Sequence, residues 1–164
     1  MAARIRPMTI DDLEQVHRID VMSFTLPWSE RSFRYELTSN PVARLWVADL
    51  AAEGEPPQVA ALLVIWHIID EVHIATVAVH PDQRRTGIGR RLLATALLAA
   101  YEEGAQKAFL EVRRSNTPAQ EMYRRFGFEV AGVRPRYYKD NMEDALLLNL
   151  DRIDPDALRP MIED

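Results

Sequence analysis

The residues at positions 84–89, with the sequence R-R-T-G-I-G, combine basic side chains with glycines between an apolar run and a long helical pattern. Glycine permits positive φ angles and lets the backbone approach a ligand closely. The first N–H groups of a helix lack intrahelical acceptors and carry partial positive charge, so they bind anions. With Arg84, Arg85, Arg90 and Arg91 as further charge partners, this segment is suited to hold the pyrophosphate of a cofactor.

The common nucleotide-binding motifs do not fit these residues. A P-loop requires a Lys-Ser/Thr pair directly after its last glycine, and a dinucleotide-binding loop requires a third glycine. Arg90, Arg91 and Leu92 follow Gly89 instead. On the residues alone a purely structural explanation is equally good, in which the glycines make a tight turn at the start of a helix and the arginines are solvated.

Three polar residues further along the chain lie in patterns that could also do chemistry. Glu111 stands between Leu110 and Val112 in a predicted strand, so its carboxylate points to the opposite face of that strand from theirs. An isolated carboxylate of this kind usually forms a salt bridge or faces solvent. Tyr123 lies among large apolar residues and could simply fill the core, and Asn116 could cap the following helix.

The segment 77–89, V-A-V-H-P-D-Q-R-R-T-G-I-G, resembles the acetyl-coenzyme A signature of the GCN5-related N-acetyltransferases (GNAT). That signature is a strand ending in V-A-V-x-P, followed by (Q/R)-x-x-G-x-(G/A). The resemblance implies that acetyl-coenzyme A is the co-substrate, with its pyrophosphate on the loop amides and its pantetheine arm and acetyl carbonyl along the preceding strand; it implies no metal. The cofactor-binding residues expected from it are Val77, Ala78, Val79, Arg84, Arg85, Thr86, Gly87, Ile88, Gly89, Arg90 and Asn116.

Three further runs extend the resemblance to catalytic residues. The pattern N-x-x-A-x-x-x-Y-x-x-x-G-F at 116–128 matches the family, which implies that Tyr123 protonates the departing thiolate. The run L-E-V-R at 110–113 implies that Glu111 is the base beside the incoming amine. The run H-I-A-T-V that starts at His73 resembles archaeal and eukaryotic N-terminal acetyltransferase subunits, which makes His73 an alternative base acting through water.

Two segments resemble the bacterial ribosomal-protein-alanine N-acetyltransferases within this family: F-T-L-P-W-S at 24–29 and R-P-R-Y-Y at 134–138. By this resemblance, the loop between the first two helices and the loop between the last two strands border a peptide groove. Without it, the same residues would form a packed surface loop and ordinary strand aromatics. The residues expected to line the groove are Leu26, Pro27, Trp28, Tyr137 and Tyr138.

The resemblance implies direct acetyl transfer to the N-terminal α-amino group of a protein, with the N-terminal alanine of a basic small-subunit ribosomal protein as the expected acceptor. An α-amine of pKa near 7.8 is roughly 15% neutral at pH 7, whereas a lysine of pKa near 10.4 is about 0.04% neutral, so the α-amine needs far less help from a base. Two alternatives stay open. One is acetylation of a lysine side chain or a small amine, and the other is a non-catalytic acyl-coenzyme A-binding module or interaction subunit.

Composition limits the other possibilities. The 164 residues, 48% hydrophobic, suffice for one domain with its own core, which we expect at 1–150, followed by an acidic, peripheral tail at 151–164. The chain has no cysteine, which excludes a cysteine nucleophile and thiolate metal ligands. The net charge of −5 disfavours nucleic acid and favours a basic protein partner. No apolar run is long enough to span a bilayer, so we expect a cytoplasmic protein that contacts no membrane. We further expect a monomer or a weak homodimer.

The elements that must position these residues can be predicted from hydrophobic periodicity. The pattern indicates an α/β protein of the α+β type. The resemblance implies a central mixed, mostly antiparallel sheet of about seven strands with about four helices, in which strands 72–79 and 107–113 splay apart. The other predicted strands are 4–8, 45–50, 59–69, 128–133 and 145–150, and the predicted helices are 9–20, 29–39, 87–103 and 117–126.

Overall fold

The computed structural model of the protein describes residues 3–163 and contains a seven-stranded sheet of order β1-β2-β3-β4-β5-β7-β6. The strands are β1 (Arg4–Pro7), β2 (Ala43–Leu50), β3 (Gln58–Ile68), β4 (Glu71–Val79), β5 (Lys107–Arg113), β6 (Glu129–Tyr138) and β7 (Glu143–Leu150). Neighbouring strands are antiparallel except β4 and β5, which run parallel because a helix crosses over between them. The predicted mixed, mostly antiparallel sheet is confirmed.

The parallel pair is short, and this opens the centre of the sheet. β4 and β5 pair only where residues 71–73 lie opposite residues 107–109. Beyond His73, β4 remains bonded to β3 while β5 bonds to β7. The two strands therefore diverge toward their C-terminal ends, which is the splay that the resemblance implied.

A β-bulge lies at the point where these strands separate. Val64 of β3 is opposite Thr76, but its neighbour Ile65 is opposite Ile74, so Ala75 is the extra residue. A bulge bends a strand, increases its twist and redirects the side chains on either side of it. The bulge therefore helps to turn the end of β4 away from β5.

The helices of the described chain cover both faces of the sheet. They are α1 (Leu13–Ser23), α2 (Glu30–Ser39), α3 (Ile88–Glu102), α4 (Thr117–Arg125) and α5 (Pro155–Ile162). On one face Val16 of α1 and Phe33 of α2 share a core with Leu62 of β3. On the other face Leu93 of α3 shares a core with Leu63. Because successive strand residues point to opposite faces, β3 is apolar along most of its length and serves both cores.

Capping residues define the ends of two helices. At the start of α2, the Ser29 hydroxyl oxygen accepts a hydrogen bond from the Ser32 amide at 3.0 Å. After α4 the chain turns at Gly127, whose φ of +100° is in the region that glycine adopts without strain. The first predicted helix begins later than expected, at Leu13, because Ile10–Asp12 forms a separate turn of 3-10 helix.

The segment after β7 differs from the expectation. We expected a peripheral tail from residue 151, but Pro155–Ile162 forms α5, which packs beside α3. Ile153 is 1% exposed and Leu158 is 3% exposed, and both belong to the α3 core. The prediction of a peripheral tail is wrong because its acidic residues and prolines concealed a short amphipathic helix.

Candidate active site

The glycine-containing loop connects the end of β4 to the start of α3. A single turn of 3-10 helix, Pro81–Gln83, follows the strand, and Gly87 then caps α3 with a φ of +87°. Arg85 also has a positive φ, of 64°. The Thr86 hydroxyl donates to the Gln83 carbonyl at 2.6 Å, and the Arg84 Nε donates to the Val79 carbonyl at 3.2 Å. Arg84 Nη2 also donates to the Ser23 hydroxyl of α1 at 3.5 Å. Short-range contacts and this bond together hold the loop between the end of β4 and the first turn of α3.

Gly89 marks a close approach between the helix and the strand. A Cβ atom at this position would lie 3.2 Å from Val79 Cγ2 and 3.7 Å from the Met122 Sδ of α4. The first distance is tighter than ordinary van der Waals contact, so a side chain here would require Val79 or α3 to shift by a few tenths of an ångström. The second glycine of the motif therefore fixes how near the helix start lies to the strand.

The open edge of β4 completes the cofactor side of the site. Val77, Ala78 and Val79 pair with β3 on one edge, while the edge toward β5 has no strand partner within residues 3–163 beyond His73. Open strand amides and carbonyls can bind an amide-containing chain, and the start of α3 can bind a phosphate. The donor set of this region fits the pantetheine arm and the pyrophosphate of coenzyme A.

The two alternative bases of the sequence are partners in the structure. His73 Nε2 lies 2.7 Å from Glu111 Oε2, across the last paired positions of β4 and β5. The imidazole stacks on Phe109, with ring centroids 4.5 Å apart, and meets the edge of Trp66 at 5.2 Å. The histidine ring is therefore held by two aromatic neighbours, and it orients the carboxylate at the point where the strands separate.

The surroundings of Glu111 keep it charged. Its side chain is 12% exposed. The hydrogen bond with His73 lowers the pKa of Glu111, burial opposes this, and Arg134 lowers it further. The carboxylate is thus ionised at neutral pH, which is the form that a general base requires.

Tyr123 projects from α4 and is almost completely buried. It is 4% exposed, and its ring packs edge-on against Phe128, with centroids 5.7 Å apart. Burial, with a smaller effect from Tyr138, raises the pKa of the Tyr123 hydroxyl, so it stays protonated at neutral pH. A buried, protonated phenol is a proton donor. The position of Tyr123 in the core and a role as an acid are therefore compatible.

Tyr138 interacts electrostatically with both the acid candidate and the base candidate. Burial raises the pKa of Tyr138 to about 12, and Glu111 contributes to that rise. Because Tyr138 interacts electrostatically with both Glu111 and Tyr123, the three groups share one neighbourhood. Tyr137 lies edge-on to Tyr138 and is 43% exposed. The predicted aromatic pair is therefore part of β6, and Tyr138 is the more buried of the two.

Asn116 caps a helix, whereas the resemblance predicted that it contacts the cofactor. Its Oδ1 accepts a hydrogen bond from the Ala119 amide at 3.3 Å and thereby caps α4, the helix that carries Tyr123. Gln120, on the same helix, donates to the carbonyls of Arg113 and Arg114 at 3.0 Å and 2.9 Å. These bonds attach α4 to the end of β5. Contact between Asn116 and a cofactor stays a prediction.

The loop between α1 and α2 carries the first set of predicted groove residues. Leu26 is 57% exposed, and Pro27 is exposed beside it. Trp28 packs inward, with its ring centroid 5.1 Å from that of Phe33 and 6.4 Å from that of Trp66. Trp28 thus connects the loop to Trp66, the neighbour of His73, while Leu26 and Pro27 face solvent.

Asp20 anchors this loop from inside the protein. Its Oδ2 accepts from the Trp28 amide at 2.8 Å, while Oδ1 is buried without a hydrogen-bond partner. Burial raises the pKa of Asp20 to about 6. Asp20 is therefore a buried, partly unsatisfied carboxyl group that binds the backbone of the loop at Trp28.

A surface cavity opens beside the same loop. Its volume is about 450 Å³, and it is lined by Trp28, Arg31, Ser32, Tyr35 and Glu36. The catalytic candidates are not part of its lining. Glu36 is already engaged there, because its carboxylate accepts from Trp66 Nε1 at 2.9 Å and from Asn40 Nδ2 at 2.6 Å. The cavity is thus a neighbour of the candidate active site and does not contain it.

Sequence reasoning missed several residues that shape the site. Trp66 contacts His73, Asp20 holds Trp28, and Arg113 with Asp140 holds the loop after β6. Arg113 could have been found, because it lies two positions after Glu111 and so faces the same side of β5. The other three gave no local signal, since their partners are distant in the sequence.

Neither a metal site nor a membrane span is formed within residues 3–163. No three His, Cys, Asp or Glu side chains in this part of the chain are grouped closely enough to hold a metal ion. None of the described helices is both long enough and apolar enough to cross a membrane.

The fold and the site together are those of an acyl-coenzyme A-dependent transferase, and comparison with known proteins defines the family. The sequence model of the acetyltransferase (GNAT) family matches residues 13–128. The chain belongs to the GNAT family.

Within this family, the chain is similar to enzymes that are named for one reaction. The chain is 37% identical, over 89% of its length and 93% of the relative, to a putative ribosomal protein bS18-alanine N-acetyltransferase of Bacillus subtilis. It is 32% identical, over 89% of its length and 95% of the relative, to the ribosomal protein bS18-alanine N-acetyltransferase of Escherichia coli strain K12. The crystal structure of the ribosomal-protein-S18-alanine N-acetyltransferase from Escherichia coli superimposes with a TM-score of 0.80 at 29% identity, covering 93% of this chain and 95% of that one.

Proposed function

We propose that this protein transfers the acetyl group of acetyl-coenzyme A to the N-terminal α-amino group of a protein, and that the acceptor is the N-terminal alanine of the small-subunit ribosomal protein bS18. The observation that carries the proposal is the His73–Glu111 pair, 2.7 Å apart, at the point where β4 and β5 separate. Relatives named for this reaction are similar over nearly the whole chain.

Glu111 is the group that accepts the proton of the amine. The substrate arrives mainly as an ammonium ion, and it must lose a proton before the nitrogen can attack the thioester. Because an α-ammonium has a pKa near 7.8, a carboxylate acting directly or through one water can remove this proton at neutral pH. His73 holds the carboxylate in place and keeps it ionised.

The cofactor side supplies the activated acetyl group, which acetyl-coenzyme A carries as a thioester. The loop before α3 would bind the pyrophosphate, with Arg84, Arg85 and Arg90 as charge partners. The open amides of 77–79 would donate to the acetyl oxygen as negative charge develops there. When the carbon–sulfur bond breaks, Tyr123 would give its proton to the sulfur.

The acceptor side is built for a chain rather than a small amine. Leu26, on the loop before α2, and Tyr137, at the end of β6, expose apolar surface near the site, which suits contact with a peptide. The formal net charge of −5 favours the approach of a basic ribosomal protein. A location in the cytoplasm agrees with this acceptor, and the monomeric or weakly dimeric state stays a prediction.

The test is a reaction with defined acceptors. The purified protein and acetyl-coenzyme A are mixed with a peptide carrying the alanine-initiated N-terminus of bS18, and the product is mapped by tandem mass spectrometry. We expect one acetyl group on the α-nitrogen. A matched peptide with a blocked N-terminus and an internal lysine, and a polyamine, should react at least a hundredfold more slowly. Faster reaction of either control would show that the protein is instead a lysine or small-amine acetyltransferase.

A further inference from the structure

Asp140 joins two loops that lie far apart in the sequence. It stands in the turn between β6 and β7, and its Oδ2 accepts a hydrogen bond from the hydroxyl of Thr25, in the loop between α1 and α2, 115 residues away. The same oxygen accepts from Arg113 Nη2 at 2.9 Å. One carboxylate thus connects both loops that the resemblance places beside the acceptor groove.

Arg113 ties this connection to the catalytic strand. It follows Glu111 by two positions on β5, so both side chains leave the same face of that strand. Its Nη1 donates to Asn141 Oδ1 and to Glu143 Oε1, each at 3.2 Å. Its guanidinium carbon lies 4.0 Å from the centroid of the Tyr138 ring. Arg113 therefore binds the β6–β7 turn through Asp140, Asn141 and Glu143, and its guanidinium group packs on the ring of Tyr138.

We propose that Asp140 is a latch: by accepting from Thr25 and from Arg113, it holds the two loops at the fixed separation that the acceptor chain requires. This proposal rests on the function proposed above. Thr25, Arg113 and Asp140 are positioning residues, because they act on the loops and on Tyr138 and not on the reacting atoms.

The expected effect of the latch is on binding. A loop that is already ordered loses less conformational entropy when a peptide binds, so affinity rises without a new contact. The catalytic groups are held separately, since Glu111 is oriented by His73 and Tyr123 by the core. The hydrogen bond from Thr25 and the contact with Arg113 lower the pKa of Asp140, so the acceptor oxygen is charged at neutral pH. Loss of the latch should therefore raise KM for the peptide and leave kcat nearly unchanged.

Thr25→Val tests the latch with the smallest change, because valine keeps the shape of threonine and removes the hydroxyl. We expect KM for the bS18 peptide to rise about five- to tenfold, with kcat and KM for acetyl-coenzyme A within about twofold of wild type. Thr25→Ser should restore the wild-type KM. Thr38→Val, which removes an exposed hydroxyl on α2 that donates to the Arg34 carbonyl, is the control for loss of a surface hydroxyl. A parallel fall of kcat, or an unchanged KM for the peptide, would contradict the proposal.

Hydrogen exchange tests the same contact without any acceptor. In Thr25→Val, the amides of 138–142 should exchange several-fold faster although the mutation lies in the other loop. In Asp140→Ala, the amides of 24–26 should do the same, while those of α3 stay protected in both variants. Unchanged exchange in the opposite loop would overturn the latch. If the wild-type protein fails to acetylate the alanine peptide, the proposed function falls, and the exchange result still decides the latch.

Discussion

The two sides of the candidate active site are built in different ways. The cofactor side is one continuous segment, in which β4 leads through a short loop into α3, and the hydrogen bonds of Arg84 to Val79 and of Thr86 to Gln83 join residues at most five positions apart. The acceptor side combines β4, β5, α4, β6 and the loop before α2, through contacts such as His73 with Glu111 and Thr25 with Asp140.

This difference in construction determines how mutations on each side should affect the protein. A locally built loop keeps its geometry as long as its own backbone angles are possible, so a mutation there should affect one binding step. A side assembled from distant segments is a network, in which the effects of neighbouring residues do not add. Combined substitutions on the acceptor side should therefore have effects that do not add, whereas substitutions on the two different sides should be nearly additive.

The largest effect is expected from Glu111→Gln, because glutamine keeps the shape of the side chain and cannot accept the proton. We predict that kcat falls about 10²- to 10³-fold, the usual contribution of a general base. The dissociation constant for acetyl-coenzyme A, measured by calorimetry, should stay within about twofold. Glu121→Gln, an exposed position on α4, is the matched control. Wild-type turnover in Glu111→Gln would remove Glu111 from the mechanism.

Tyr123→Phe should lower kcat less, by about 10- to 100-fold. A thiol has a pKa near 8.5, so the thiolate leaves with less need of a proton donor than the ammonium has of a base. Single-turnover kinetics with the alanine peptide would measure the loss. Tyr101→Phe, at the partly buried end of α3, controls for the loss of a phenol hydroxyl. Equal rates in wild type and Tyr123→Phe would leave Tyr123 as a core residue only.

Gly87→Ala tests the cofactor side alone. Its φ of +87° strains any residue with a Cβ atom. We predict an increase of about tenfold in the dissociation constant for acetyl-coenzyme A, with a loss of stability of about 1 kcal/mol. Gly54→Ala is the control, because its φ of +79° imposes the same strain in open space in the turn between β2 and β3. If both variants bind the cofactor alike, the loop geometry has no part in binding it.

Asp20→Asn should give a small effect on stability that depends on pH. Burial raises the pKa of Asp20 to about 6, so the folded protein binds this proton more tightly than the unfolded chain does. Wild-type stability therefore falls as pH rises from about 4 to about 6, and asparagine removes that loss. In urea unfolding, the stability of Asp20→Asn relative to wild type should increase by about 2 kcal/mol between pH ~4.5 and ~7.5. Asp11→Asn, on the surface, should show no such trend.

Much of the fold could be predicted from the sequence because its elements carry strong local patterns. The continuous apolar run of β3, the Ser29 cap and the left-handed Gly127 are properties of a few adjacent residues. The prediction of a peripheral tail was wrong because α5 is defined by its packing on α3, and the local pattern of charges and prolines concealed it.

The catalytic residues stay predictions from the sequence, and the structure shows how two of these candidates are placed relative to each other. Glu111 and His73 stood as alternatives in the sequence, because nothing in two separate runs says whether they touch. Their 2.7 Å contact depends on the register of β4 against β5, which pairs His73 with Phe109. The bulge at Ala75 interrupts the regular alternation of side chains along β4, and it also has no signature in a single sequence.

The sequence by itself determined the cofactor side, because a glycine at positive φ, a helix start and a strand end act through the backbone of neighbouring residues. Only the tertiary structure decided the acceptor side. There the functional geometry comes from side chains that meet across strands and loops, and Arg113, Asp140 and Thr25 acquire their roles only when the chain has brought them together. Contacts of that range depend on the packing of the whole sheet, which no local pattern encodes.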